Sequence, residues 1–80
     1  MPRSATPDPP EPALRVVVGG RVRKARTDRG WSLRHLAAEA GLAESWVRSV
    51  ESGNVSVGIE RLATICKALD LTIGEITAPQ

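Results

Sequence analysis

The stretch Trp31-Ser32-Leu33-Arg34-His35-Leu36-Ala37-Ala38-Glu39-Ala40-Gly41-Leu42-Ala43-Glu44-Ser45-Trp46-Val47-Arg48-Ser49-Val50-Glu51-Ser52-Gly53 decides the fold. Counted from Leu33, the residues Ala37, Gly41 and Val47 take the fifth, ninth and fifteenth places of a unit of two helices joined by a tight turn. A small residue at 37 lets the second helix approach, a glycine at 41 takes the left-handed backbone of the turn, and Val47 packs the second helix back onto the first. One edge of the second helix is left free.

Working outward, the pattern gives five helices and no strand. Val16-Val17-Val18 has strand propensity, but Val18, Val22 and Ala25 continue at helical spacing, so helix 1 is read over 17–28, ended by Gly30. Ser32 is the expected N-cap of helix 2 over 33–40, with Leu36, Ala37 and Ala40 facing inward. Helix 3 is expected over 44–52, burying Val47 and Val50 and stopped by Gly53-Asn54. Helix 4, over 59–69, carries an apolar stripe of Ile59, Leu62, Ala63, Ile65, Cys66 and Leu69 that is too wide for one neighbour. Thr72 caps a short helix 5 over 73–76.

The chain has 80 residues, and five of its six prolines (Pro2, Pro7, Pro9, Pro10, Pro12) lie where no apolar period exists. Residues 1–14 are therefore read as a flexible Pro-rich tail, 15–77 as one folded domain and 78–80 as a C-terminal tail. With no Phe or Tyr the core must be aliphatic, and a domain so small often leans on a partner subunit.

The net charge of +2 hides a strong polarity. From Arg15 to Arg34 the basic residues Arg15, Arg21, Arg23, Lys24, Arg26, Arg29 and Arg34 face one acid, Asp28, whereas beyond Val55 acids outnumber bases. A basic end beside a free helix edge points to duplex DNA, and a solvated helix face is the alternative source of the same cluster. No apolar run has the length of a membrane span and no signal-peptide stretch opens the chain, so a cytoplasmic protein is expected. Lone Cys66 on the core stripe forms no intrachain disulfide, and one His with one Cys cannot build a zinc site. Gly19-Gly20 lacks the further residues of a phosphate loop. No metal, cofactor, small-molecule ligand or catalytic activity is expected.

The register from Gly19 to Ile76, with Gly19–Ala37, Gly41–Gly53 and Ile59–Ile76, which contains RLATICKALDLTIGEI, resembles the Cro/phage-repressor-like (XRE) helix-turn-helix family. The resemblance implies an all-α, five-helix, lambda-repressor-like DNA-binding domain whose helix-turn-helix is formed by helices 2 and 3. It also implies an ion pair between Arg26 and Glu51 tying helix 1 to the end of helix 3, with loss of one partner costing roughly 3–5 kcal/mol if the site is dry. Base edges are implied to meet Glu44, Ser45, Arg48 and Ser49, of which Arg48 can pair bidentately with guanine and Glu44 can accept from cytosine. Glu44 and Arg48, four residues apart, can instead pair with each other. Phosphate contacts are expected from Arg23, Ser32, Arg34, Trp46 and Asn54. Trp46 can donate its indole N–H to the backbone or cover the aliphatic core; Trp31 is read as a packing residue.

The function expected is that of a sequence-specific transcription regulator, placing helix 3 in the major groove of a palindromic or pseudo-palindromic operator. One copy offers too few base contacts for a genome-scale search, so a homodimer is expected, joined through Leu69, Leu71, Ile73 and Ile76. The size resembles restriction-modification controllers and small phage-type repressors. Three departures, namely Leu33 where many members carry glutamine, Ala43 in place of a Ser/Thr cap, and acidic Glu44, motivate an alternative: an antitoxin-like or co-regulator module that docks a protein.

Overall fold

The computed structural model describes residues 13–79. Within them the chain folds as α1 (Leu14–Asp28), α2 (Leu33–Ala40), α3 (Glu44–Glu51), α4 (Ile59–Ala68) and α5 (Ile73–Thr77), with no strand among the described residues. The tail expected over 1–14 lies outside this range as far as residue 12, and at its end the expectation is corrected, because α1 begins at Leu14 rather than Val17. Long-range contacts hold this extra turn. The Arg15 Nε donates to the Gly53 carbonyl at 3.0 Å, and Val16 packs so closely that a Cβ on Gly53 would lie 2.9 Å from its Cγ2. Periodicity within α1 could not have shown either contact.

Four helices end in the same way. After α1, α2, α3 and α4 the chain passes through a left-handed residue, Gly30, Gly41, Gly53 and Asp70 respectively. The next N–H then reaches back five residues to close the helix: Trp31 to the Arg26 carbonyl (3.1 Å), Leu42 to Ala37 (2.9 Å), Asn54 to Ser49 (3.0 Å) and Leu71 to Cys66 (2.8 Å). This bond satisfies a carbonyl that has no partner within the helix. At the opposite ends, Ser32 Oγ accepts from the His35 N–H, and Thr72 and Glu75 form a reciprocal capping box on α5. Ala43 leaves α3 without a side-chain cap.

The core is aliphatic apart from the sulfur of Cys66. Val18 and Val22 of α1, Leu36 and Ala37 of α2, Val47 and Val50 of α3, and Leu62, Ile65 and Cys66 of α4 close on one another, and Leu69 and Ile76 complete the cluster. Burial, with a smaller push from the Glu75 charge, raises the pKa of the Cys66 thiol and keeps it a neutral core group. The wide stripe of α4 splits, with Leu62, Ile65 and Cys66 buried and Ile59 and Ala63 exposed. Leu69 and Ile76 are 0% and 2% exposed. They were expected on a dimer surface, and that expectation is corrected: without large aromatics, the core consumes both side chains to fill the space between α1, α4 and α5. No helix among the described residues is long and apolar enough to cross a membrane.

The charged contact that fixes α3 is Arg26 with Glu51. Arg26 Nε donates to Glu51 Oε2 at 2.7 Å, one terminal nitrogen donates to Oε1 at 2.9 Å, and the other reaches the Trp31 carbonyl at 2.8 Å. Both side chains are largely buried, at 13% and 7% exposure. The hydrogen bonds to Glu51 outweigh the desolvation cost and raise the Arg26 pKa. One guanidinium thus joins α1, the α1–α2 turn and the end of α3.

Two sets of variants test this architecture. Gly19 packs against the Val50 and Glu51 carbonyls with no room for a methyl group, whereas a Cβ on Gly20 meets nothing. Gly19→Ala should therefore destabilise by about 1–3 kcal/mol and Gly20→Ala should stabilise by about 0.5–1 kcal/mol through helix propensity; urea midpoints at unchanged m-value give the two signs. Arg26→Ala and Glu51→Ala should each cost about 3–5 kcal/mol, and the double variant should be clearly more stable than the sum of the two losses. Additive losses in an unfolding cycle would show that the pair is not coupled.

Candidate nucleic-acid interface

With Val47 and Val50 turned into the core and Glu51 held by Arg26, the remaining surface of α3 is one edge built from Glu44, Ser45, Arg48 and Ser49. Spacing of one and four residues places these four together, as helical geometry requires. Ser45 and Arg48 are exposed, and Glu44 and Ser49 are half-buried. Glu44 Oε2 lies 3.5 Å from a terminal nitrogen of Arg48, a long and exposed contact worth only a few tenths of a kcal/mol. Ser49 Oγ donates to the Ser45 carbonyl at 3.1 Å and Ser52 Oγ donates to the Arg48 carbonyl at 2.9 Å. With its proton so engaged, Ser49 offers lone pairs to solvent, and Arg48 is the strong donor of the edge.

Beside this edge Arg23, Leu33, Arg48 and Ser52 line an open polar depression whose wall includes the Arg26–Glu51 pair. Arg23 and Arg34 are exposed, and neither has an ion pair or side-chain hydrogen bond within the described residues. Ser32 stands at the start of α2 and Asn54 just beyond α3, both exposed. The Leu33 side chain is partly buried against the core; in place of a polar contact the α2 start presents an apolar wall.

The other basic residues serve different ends. The Arg15 guanidinium holds the Gly53 carbonyl, Arg21 donates to the Ile76 and Ala78 carbonyls at 3.2 and 2.6 Å, and Arg29 donates to the Leu69 carbonyl. These groups tie α1 to carbonyls near the C-terminal ends of α3, α4 and α5, where a cation is favoured by the helix dipole. Lys24 pairs with Asp28 at 2.9 Å on the surface. The cationic cluster of the sequence is therefore mostly structural. Arg23 and Arg34 are what it leaves for an outside anion.

Trp46 packs one side against the core, and the guanidinium carbon of Arg61 lies over its ring, 4.9 Å from the centroid. Of its two expected roles, the structure shows the covering one. Trp31 likewise packs on the core, with the His35 ring tilted against it at a centroid distance of 4.5 Å and the Arg29 guanidinium carbon 5.4 Å from its centroid. Arg61 was not legible as a site residue: its partner lies across the α3–α4 loop and no local period links them. No group of three or more His, Cys, Asp or Glu among the described residues could hold a metal ion.

Residues 21–80 match the description of the Cro/C1-type HTH DNA-binding domain. The clp gene regulator ClgR from C. glutamicum is 33% identical and superposes with a TM-score of 0.81, covering 88% of this chain and 90% of its own. The restriction-modification controller protein C.AhdI from Aeromonas hydrophila is 35% identical, with a TM-score of 0.74 over 78% of this chain and 94% of its own. A second controller, C.Esp1396I, solved as a tetramer in complex with its natural 35 base-pair operator, is 23% identical with a TM-score of 0.74 over 82% and 87% of the two chains, a likeness of fold. The five helices, the turn at Gly41 and the match over residues 21–80 together show that this chain belongs to the Cro/C1-type helix-turn-helix family of DNA-binding domains.

Proposed function

We propose that the chain is a sequence-specific transcription regulator that binds a two-fold-symmetric DNA operator as a homodimer, with α3 in the major groove and no catalytic step. The observation that carries this reading is the α3 edge, whose polar side chains face outward while Arg26–Glu51 fixes the helix behind them. Arg48 would leave its weak contact with Glu44 to pair bidentately with guanine, and Glu44, Ser45 and Ser49 would accept from exposed amino groups of adenine or cytosine. Arg23, Arg34, Ser32 and Asn54 would hold the phosphates to either side.

Several relations support the rest. The similar protein ClgR is a gene regulator, and C.AhdI is a restriction-modification controller. The more distant C.Esp1396I assembles on an operator. Two copies of one reading helix, about 34–36 Å apart, double the number of specific contacts at no cost in sequence length. With Leu69 and Ile76 closed in the core, the apolar contact between copies would fall to Leu71 and Ile73, half-buried at the α4–α5 corner. Such a regulator works in the cytoplasm, where its DNA lies.

Selection of bound sequences from a random duplex library at near-physiological salt tests the proposal. An enriched inverted repeat with half-sites one helical turn apart is the expected result. No enrichment at tens of micromolar, the weak range of non-specific binding, would overturn it in favour of a protein-docking module. On the selected operator, Arg48→Ala should cost about 1–3 kcal/mol and relax the preference at one position of each half-site. Arg34→Ala should instead weaken operator and random duplexes alike, as a phosphate contact does. Equal losses on both duplexes for Arg48→Ala would remove that residue from base reading.

A further inference from the structure

The first turn of α4 carries a cation that the helix-turn-helix register does not single out. Arg61 is exposed, its guanidinium carbon lies over the Trp46 ring at 4.9 Å from the centroid, and it makes no ion pair or side-chain hydrogen bond among the described residues. Glu60, its sequence neighbour, lines the same open depression with Trp46, Ser56, Gly58 and Ile59, yet does not pair with it. A guanidinium held over an aromatic ring with no other partner keeps its N–H donors available to an anion and loses less freedom on binding than an unsupported side chain would.

The position of the stack matters as much as its chemistry. Trp46 lies in the first turn of α3, directly after Ser45 of the outward edge, so the arginine it holds stands beside the end of α3 that leads into a groove. The major groove is about 12 Å wide, so a cation one side chain away from the reading edge is at phosphate range. Arg23 and Arg34 belong to α1 and α2, which precede α3; Arg61 belongs to α4, which follows it.

We infer that Arg61 is a DNA-phosphate ligand, held in place by Trp46, which acts as a positioning residue through its ring face rather than as a donor through its indole N–H. Arg23 and Arg34 then grip the backbone from the α1–α2 side and Arg61 from the α4 side, so that α3 is centred between two phosphate strands. The inference rests on the DNA-binding reading above.

The test is the salt dependence of duplex affinity, measured by fluorescence anisotropy on the selected operator and on a scrambled duplex. Arg61→Gln keeps the stem over the indole and removes only the charge; it should weaken both duplexes on the order of tenfold, as loss of a charge-assisted contact does. It should also make the slope of log K against log salt shallower by about 0.9 per protomer, about 1.8 for a dimer. Arg61→Lys should restore the slope but not the full affinity, since it keeps the charge and loses the stacked fork. Trp46→Leu should keep the slope and lose affinity several-fold in the wild-type background but not in the Arg61→Gln background, a coupling that a merely structural role for Trp46 would not give. Wild-type slope in Arg61→Gln, with the variant melting at the wild-type temperature, would overturn the assignment and leave the DNA reading standing. Absence of duplex binding by the wild-type chain would overturn both.

Discussion

The guanidinium of Arg26 is the contact on which the arrangement of the reading head depends. It donates to both carboxylate oxygens of Glu51 and to the Trp31 carbonyl, acceptors that lie in two different parts of the chain. A helix of eight residues has too few internal hydrogen bonds to hold its own orientation. Apolar packing through Val47 and Val50 fixes which face of α3 is buried, but a pair of small branched side chains leaves rotation and tilt poorly defined. A bidentate pair at the far end of the helix removes that freedom, because its geometry is satisfied at one angle only. Close approach completes the constraint: at Gly19 the α1 backbone sits against the Val50 and Glu51 carbonyls, a distance that any side chain would prevent.

Charge in this protein divides into two populations that composition cannot separate. Arg15, Arg21 and Arg29 look from the sequence like part of a basic face, yet each reaches a backbone carbonyl more than thirty residues away. Those bonds close helix ends and join α1 to the rest of the fold, so the cost of desolvating the guanidinium is offset by satisfying carbonyls that would otherwise lack partners. Removing any of them would be felt as lost stability before it was felt as lost electrostatic attraction. The cations free to meet an anion are fewer and are distributed around α3 rather than concentrated on one helix.

Much of this architecture was legible in the sequence, for reasons that can be named. Glycines at 30, 41 and 53 announce left-handed residues, and Ser32 and Thr72 announce caps, because those roles depend on the local chain. Asp70 takes the same left-handed conformation after α4, but aspartate is also common in ordinary turns, so its sequence carries no such signal. The Leu69 and Ile76 side chains illustrate a different gap. Apolar residues near the end of a small domain are equally suited to a dimer surface and to the monomer's own core, and only the three-dimensional volume to be filled decides between them. Arg61 and Trp46 fall in the same class, since a stack across a loop leaves no period to read. The α1 start at Leu14 also escaped local reading, for it rests on Arg15 and Val16 meeting Gly53 beyond the end of α3.

The distribution of apolar surface bears on how the proposed dimer would work. Once Leu69 and Ile76 are in the core, the α4–α5 corner retains only the partly exposed Leu71 and Ile73 as apolar contacts, whereas a standard stable interface buries roughly 800 Å² per partner. A dimer held by so small an apolar contact would dissociate at low concentration and be completed by DNA, where a second copy would gain from phosphate and base contacts already aligned by the first. One reading edge with a single strong base donor, the proposed Arg48, would supply about 1–3 kcal/mol of discrimination, short of the roughly 4–10 kcal/mol that separates specific from non-specific binding. In the proposed dimer, weak pairing in solution and limited reading per copy would have the same consequence: specificity would reside in the assembled pair on a two-fold site, and occupancy would rise with the square of protein concentration rather than in proportion to it.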